Sequence, residues 1–261
     1  MNDLELATTA ARAGADVLLR WFSRIGTPDL KGAVDPVTEA DRESEAVIVE
    51  LIRDHRPEDG IIAEEGSAAV ATSGRRWVID PLDGTVNFVH AIPHSAVSIG
   101  LEDDDGGLVG IVIDPFRSEE FVAVRGGGAT LNGHPIRVSA RRRMIESMFA
   151  TGFAYDRQER ARSYTDVVAA VLARAQGVRR LGTAAIDLAW VACGRYEGHW
   201  EFGLKAWDLA AGALLITEAG GRLTDSYGET VRPDDVIASN GLVHDELLEI
   251  VAANRPAHFS R

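Results

Sequence analysis

A single cysteine, Cys193, occurs among the 261 residues. No disulfide can close within the chain, which fits a reducing compartment such as the cytoplasm. Cationic side chains are also in short supply: 27 Lys and Arg stand against 40 Asp and Glu, a formal charge of −13. That balance makes nucleic acid an unfavourable partner and weighs against an anionic membrane, because both demand a basic surface. It does not exclude a phosphate ligand, since a bound cation reverses the sign locally. Long apolar runs are missing too. No stretch reaches the ~18 residues of a membrane span, and the opening Asn2-Asp3-Leu4-Glu5 lacks the basic-then-apolar pattern of a secretion signal. A soluble cytoplasmic protein is expected. Gly126-Gly127-Gly128 lacks the following Lys-Ser/Thr of a phosphate loop and reads as a turn.

What is present is an ordinary globular composition, 46% hydrophobic, in a length that suits one large domain or two closely joined lobes. Leu4, Ala7, Ala11, Leu18, Trp21, Phe22 and Ile25 fall at helical spacing, with Gly26-Thr27-Pro28 as the stop. Thr38-Glu39-Ala40-Asp41 has the form of a helix cap, and Val47, Ile48, Leu51 and Ile52 continue that helix to about residue 55. Residues 60–63 and 76–80 read as short strands, and 95–101, 108–113 and 119–124 as a meander. The second half alternates: helices near 160–175, 184–193, 208–219 and 243–253, strands near 178–181, 196–202, 222–225 and 236–239. The expected class is layered α/β, more antiparallel in its first half.

Carboxylates gather after apolar strands or at helix openings: Asp35 and Asp41, Glu64 and Glu65, Asp80 and Asp83, and Asp208. Each has a plain explanation. Asp41 and Asp208 can cap helices, Asp83-Gly84 can be a turn, and Glu64-Glu65 a solvated loop. Together they demand more. Strand ends on one edge of an α/β sheet are where ligand sites form. Two unit charges at about 4 Å repel by roughly 4 kcal/mol at an effective dielectric near 20, so several carboxylates converging there need a counterion. Oxygen ligands without histidine or thiolate favour Mg²⁺. In Asp80-Pro81-Leu82-Asp83, Pro81 sets the chain direction so that the two carboxylates meet across a tight turn, with the Leu82 carbonyl as a further oxygen. Gly84-Thr85 then opens a helix whose free N–H groups suit a phosphate. His90 and His94 are expected to cap or pack beside that helix, Trp207 to pack in the core and fix Asp208, and Cys193 to be a buried structural thiol.

At these residues the sequence resembles the inositol monophosphatase family. Trp77-Val78-Ile79-Asp80-Pro81-Leu82-Asp83-Gly84-Thr85 is similar to its first signature, and Trp207-Asp208-Leu209-Ala210-Ala211-Gly212 with Glu218-Ala219-Gly220-Gly221 to its second. Asp35-Pro36-Val37-Thr38-Glu39-Ala40-Asp41 and Ala63-Glu64-Glu65-Gly66 resemble two upstream motifs, all in the family's order. The resemblance implies a five-layer αβαβα sandwich, with lobes 1–140 and 141–261 forming one compact unit. It implies a homodimer inhibited by Li⁺, acting as a Mg²⁺-dependent phosphomonoesterase on inositol monophosphate or a similar small polyol phosphate. Fructose bisphosphate, histidinol phosphate and a nucleotide 3′-phosphate are the competing substrates, and a regulatory protein retaining the fold is the alternative of another class. Two to three ions are implied, with Glu64, Asp80, the Leu82 carbonyl, Asp83 and Asp208 as ligands. Asp41 and Thr85 would orient the attacking water, supported by Glu65. Gly84 and Thr85 amides would hold phosphate, and Gly182, Thr183, Ala184 and Glu201 would meet the substrate alongside Asp83 and Asp208. Two departures stand out: Ala63 replaces a common glycine, and Val86 replaces a second threonine.

Overall fold

The computed structural model describes residues 1–24, 26, 28–32 and 35–259. Helix α1 (Asp3–Trp21) is followed by a hairpin of β1 (Asp29–Gly32) and β2 (Asp35–Val37), then by α2 (Glu39–His55). α1 stops short of the expected end. Phe22 leaves the helix at φ −54° and ψ 130° and packs on Phe88 and Phe116, with ring centroids 5.5 and 4.5 Å away. The expectations for Ile25, Thr27 and the Asp35 carboxylate fall outside what is described.

The chain continues as β3 (Gly60–Ala63), β4 (Ala68–Ala69), β5 (Arg76–Asp83), the short α3 (Thr85–Val89), β6 (Ala96–Asp103), β7 (Gly106–Asp114), β8 (Glu119–Val124), β9 (Gly128–Leu131) and β10 (His134–Pro135). These strands form an eight-stranded sheet ordered β10-β9-β8-β7-β6-β5-β3-β4. Among the described residues of this sheet only the β3–β5 pair is parallel, so the antiparallel reading of this half holds.

The rest comprises β11 (Met148–Thr151), α4 (Arg157–Leu172), β12 (Gly177–Arg179), α5 (Ala184–Ala192), β13 (Gly198–Phe202), α6 (Ala206–Glu218), β14 (Arg222–Thr224), β15 (Asp235–Ser239) and α7 (His244–Ala253). A second sheet runs β12-β11-β13-β15-β14, with β11 parallel to both neighbours. β11 was not foreseen: its four residues are too few for alternation to declare itself.

The packing gives five layers, αβαβα. α1 and α2 cover one face of the large sheet, α5 and α6 lie between the two sheets, and α4 and α7 cover the far face of the small one. Alternation along strands sorts side chains between these layers. Ile111 joins the core under α1 and α2, while its neighbour Val112 joins the central core. On β11, Phe149 packs toward α4 and α7, and Ala150 toward the centre. α5 carries apolar residues on every side because sheets flank it on both. Among the described residues, no helix is long and apolar enough to cross a membrane.

Candidate active site

β5 does not end at Asp80; it runs to Asp83 through a bulge. Asp80 pairs with Ser98 and Asp83 with Ala96, so three steps on β5 match two on β6. In a regular strand, residues three apart face opposite sides. The bulge's extra residue turns Asp83 back to the side of Asp80, which corrects the expectation of a tight turn at Pro81. Pro81, lacking an N–H, is tolerated at the bulge, and its carbonyl accepts the Ser44 hydroxyl at 2.9 Å. Asp80 Oδ1 accepts the Leu82 N–H at 3.0 Å, and Asp83 Oδ2 accepts the Ala185 N–H at 2.7 Å, at the start of α5.

Asp208 is the third residue of α6, and its Oδ2 accepts the Lys205 N–H at 2.7 Å. Carboxylate oxygens of Asp80, Asp83 and Asp208 all lie within 4.8 Å of one another. Burial, reinforced by the neighbouring carboxylates, holds Asp80 and Asp83 well above the usual range and lifts Asp208 to about 7. Glu64 stands outside this triad. The Lys31 ammonium lies 3.1 Å from Glu64 and 2.5 Å from Glu65. Burial opposes the charge on Lys31, yet the two glutamates outweigh it and raise its pKa. Burial also lifts Glu65 to about 7 against the pull of Lys31.

Asp41 is fully buried beside the triad. Its Oδ2 accepts the Thr38 N–H at 2.7 Å and the Thr38 hydroxyl at 2.6 Å. The Thr85 hydroxyl lies 3.1 Å from Asp41 Oδ1 and 3.0 Å from the Leu82 carbonyl oxygen, and its one proton can go to either. Burial pushes Asp41 up to about 6, with the Thr38 hydrogen bonds opposing and Glu64 adding. Thr85 follows Gly84, whose φ of +90° suits glycine. A Cβ there would lie 2.6 Å from Thr183 Oγ1, so glycine also lets residues 182–184 close on this turn. Thr183 and Asn87 both donate to the His94 carbonyl, at 3.1 and 2.9 Å, and Asn87 also reaches the Leu181 carbonyl.

The triad, Gly84 and Thr85 open into a cavity of about 400 Å³, within the range of small-molecule sites, with Asp41 behind its wall. Glu64 and the three aspartates line one part, and Gly182, Thr183, Ala184 and Glu201 line another. Burial pushes Glu201 up to about 8, opposed by Arg180. Lys31, Arg157, Arg180 and Lys205 also line the cavity, a local cationic set in a chain of net negative charge. Trp207 is not core: it is half-buried and lines the cavity. Val86 lines it too and offers no hydroxyl. His94 packs edge-on against Trp190, and burial pulls it down to about 4. His90 is exposed at the end of α3, and Cys193 is half-buried at the end of α5.

Glu45 was not foreseen. Its carboxylate accepts the N–H groups of Glu65 at 2.7 Å and Ser67 at 2.9 Å, and so holds the loop that carries Glu64 and Glu65. Asp41, Ser44 and Glu45 are spaced i, i+3 and i+4 on the buried face of α2. A polar stripe where apolar residues belong was the available signal. Arg157, Arg180 and Lys205 carried no signal in the sequence.

A layered α/β fold with an oxygen-only acidic triad at a polar cavity defines the class: a small-molecule site whose donor set could hold a hard cation. The profile described as "Inositol monophosphatase family" matches residues 2–258, and the chain belongs to that family. It is 44% identical over 254 residues to an inositol-1-monophosphatase of Synechocystis, covering 96% of this chain and 88% of that protein. It is 40% identical over 268 residues to a protein named Nus factor SuhB from Pseudomonas aeruginosa, covering 99% and 98%. The solved inositol monophosphatase of Anabaena superposes with a TM-score of 0.87 at 39% identity, covering 98% of this chain and 97% of that one.

Proposed function

We propose that the protein is a Mg²⁺-dependent phosphomonoesterase that hydrolyses inositol monophosphate or a similar small polyol phosphate. The observation that carries this is the triad of Asp80, Asp83 and Asp208, within 4.8 Å of one another beside the Asp41–Thr85 pair. Three carboxylates this close, lifted by burial and by one another, form a donor set that a hard divalent cation satisfies. Asp80, Asp83, Asp208, Glu64 and the Leu82 carbonyl would hold two to three ions. When bound, they supply Lewis-acid stabilisation of the phosphoryl oxygens and water acidic enough to attack near neutral pH.

The chain's own residues do the rest. The Thr85 hydroxyl donates to Asp41 Oδ1, which leaves the Thr85 oxygen free to accept from a water and aim it. Among the described residues no histidine hydrogen-bonds Thr85 to activate it, so Thr85 is a positioning hydroxyl rather than a nucleophile. Glu65, fixed by Glu45 and Lys31, supports that region. Gly84 and Thr85 amides face the phosphate, and Lys31, Arg157, Arg180 and Lys205 favour an anionic ester over a neutral one. Glu201 and Gly182-Thr183-Ala184 contact the hydroxyls of the alcohol.

A panel of phosphate esters assayed with Mg²⁺ tests the reading. Inositol monophosphate should give the highest kcat/KM, and equal turnover of fructose bisphosphate, histidinol phosphate or a nucleotide 3′-phosphate would replace it as the substrate. Asp83→Asn should abolish phosphate release; unchanged release would remove catalysis from this site. Cytoplasmic residence, a homodimer and Li⁺ inhibition accompany the reading, the last two open to light scattering and to assay.

A second reading has an observation of its own: the 40%-identical relative bears the name of a Nus factor. On that reading the chain acts as a regulatory protein with the phosphatase fold. If Asp83→Asn loses phosphatase activity yet fully complements a deletion strain, the regulatory role is the physiological one.

A further inference from the structure

His199 is completely buried, and neither ring nitrogen has a hydrogen-bond partner among the described residues. It lies on β13, where in-register neighbours share a face: Ala150 of β11 on one side and Ala238 of β15 on the other. Both alanines belong to the central core, so the imidazole points toward α5 into space that these small side chains leave. Its Nδ1 is 4.0 Å from Asp187 Oδ2 of α5, and its Nε2 is 3.5 Å from Glu201 Oε2. Glu201 is two residues along the same strand, hence on the same face, and it lines the cavity. The carboxylate also lies against the bare backbone of Gly152, where a Cβ would fall 1.9 Å from Oε1 and 2.3 Å from Oε2.

We propose that His199 is a positioning residue for substrate recognition: with Asp187 behind it and Gly152 against the carboxylate, it fixes the Glu201 carboxyl in the cavity wall and sets which polyol hydroxyls are bound. The inference rests on the reading of Glu201 as a polyol contact. A neutral imidazole has one donor and one acceptor. Burial keeps His199 neutral, pulling it down to about 3, and lifts Asp187 well above the usual range and Glu201 to about 8. The ring can therefore accept from a protonated Asp187 and donate to Glu201, which leaves the rest of the Glu201 carboxyl for a substrate hydroxyl. The Nε2–Glu201 separation lies just beyond hydrogen-bond range, so a small shift of Glu201 against the ring closes that bond, while Asp187, 4.0 Å from Nδ1, is a polar neighbour that would have to move on its own to join it. A ligand without hydroxyls does not depend on that bond.

The test compares inositol monophosphate with p-nitrophenyl phosphate, which has no alcohol hydroxyls, on the full-length Mg²⁺-loaded enzyme. His199→Phe should raise KM for inositol monophosphate about tenfold, as expected for one lost polar contact, with kcat within about twofold. Kinetics on p-nitrophenyl phosphate should not change, and His199→Gln, which retains a donor toward Glu201, should restore most of the loss. Gly152→Ala, whose methyl would displace the Glu201 carboxylate directly, should reproduce the selective KM rise and decides the matter if His199→Phe does not fold. Unchanged KM, or equal losses on both substrates, overturns the proposal. Glu201→Gln separates the two layers of the argument. If it too is unselective, the polyol contact itself fails and takes this inference with it. If it is selective while both His199→Phe and Gly152→Ala are not, only the positioning role falls.

Discussion

Helices α2 and α6 begin alike and end up with different tasks. Each has an aspartate at its third position, and in each Oδ2 accepts the N–H of the residue before the helix at 2.7 Å: Thr38 for Asp41, Lys205 for Asp208. The surroundings differ. Asp41 also receives the hydroxyls of Thr38 and Thr85, so donors surround it. The remaining side of Asp208 faces Asp80 and Asp83. One local motif thus yields a satisfied carboxylate at α2 and a frustrated one at α6. The frustrated one has a use for a cation.

Neutralising the two should separate them most sharply. Asp208→Asn should cut kcat/KM at least about 100-fold, since it alters a proposed ligand. The same change should raise the melting temperature in EDTA, because it relieves repulsion within the triad. Asp41→Asn should also lose activity, but its melting temperature should fall, by about 1–3 kcal/mol in stability, because a neutral amide accepts the two Thr38 bonds more weakly than a carboxylate does. If both variants move in the same direction in EDTA, the distinction between satisfied and frustrated carboxylates fails.

The pH dependence of metal-free stability comes next. Asp208 and Glu65 at about 7 and Glu201 at about 8 stand above their ordinary values of 3.8 for Asp and 4.5 for Glu. Each binds its proton more tightly folded than unfolded, so folding takes up protons between those limits. The stability from these groups is fully present below about pH 4 and is lost as the pH rises through 7 to 8. The melting temperature in EDTA should therefore decline from pH 5 to pH 8. Mg²⁺ should raise it more at pH 8, where the carboxylates are ionised and able to bind, than at pH 5. A flat profile in EDTA would mean that these carboxylates are less buried than described.

Much of this was legible in the sequence, for reasons that can be named. The apolar runs before Asp80 and Glu64, and the cap at Thr38, are local signals that survive folding. The span Gly60–Ala63 was foreseen exactly as it lies. The bulge between Asp80 and Asp83 was not, because it is set by the β6 register and leaves no mark on β5 alone. Trp207 was assigned to the core on its apolarity, whereas its position beside Asp208 turns it into the cavity. Glu45 and His199 both act through groups remote in the chain, yet each has a periodicity clue. Glu45 follows Asp41 by one helical turn, and His199 precedes Glu201 by one strand repeat. Lys31 meets Glu64 and Glu65 across more than thirty residues, and no periodic pattern reaches that far.

The smallest expected effects probe the caps themselves. Thr38 is buried; its hydroxyl oxygen accepts the Ala40 N–H at 3.1 Å and its proton goes to Asp41. Thr38→Ala removes both bonds and should cost about 1–2 kcal/mol in urea unfolding at unchanged m-value. Lys205 is exposed and gives its own cap a backbone N–H, which alanine retains, with its charge adding a weaker attraction to Asp208. Lys205→Ala should stay within about 0.5 kcal/mol of the parent protein. Because Lys205 lines the cavity, the variant should instead raise KM for the anionic ester, by a factor that shrinks as salt is added. The two substitutions then sort the ends of α2 and α6 by opposite readouts. Comparable stability losses in both would show that the Lys205 side chain stabilises its helix much as Thr38 does, and the contrast between the two helix openings would have to be drawn from Asp41 and Asp208 alone.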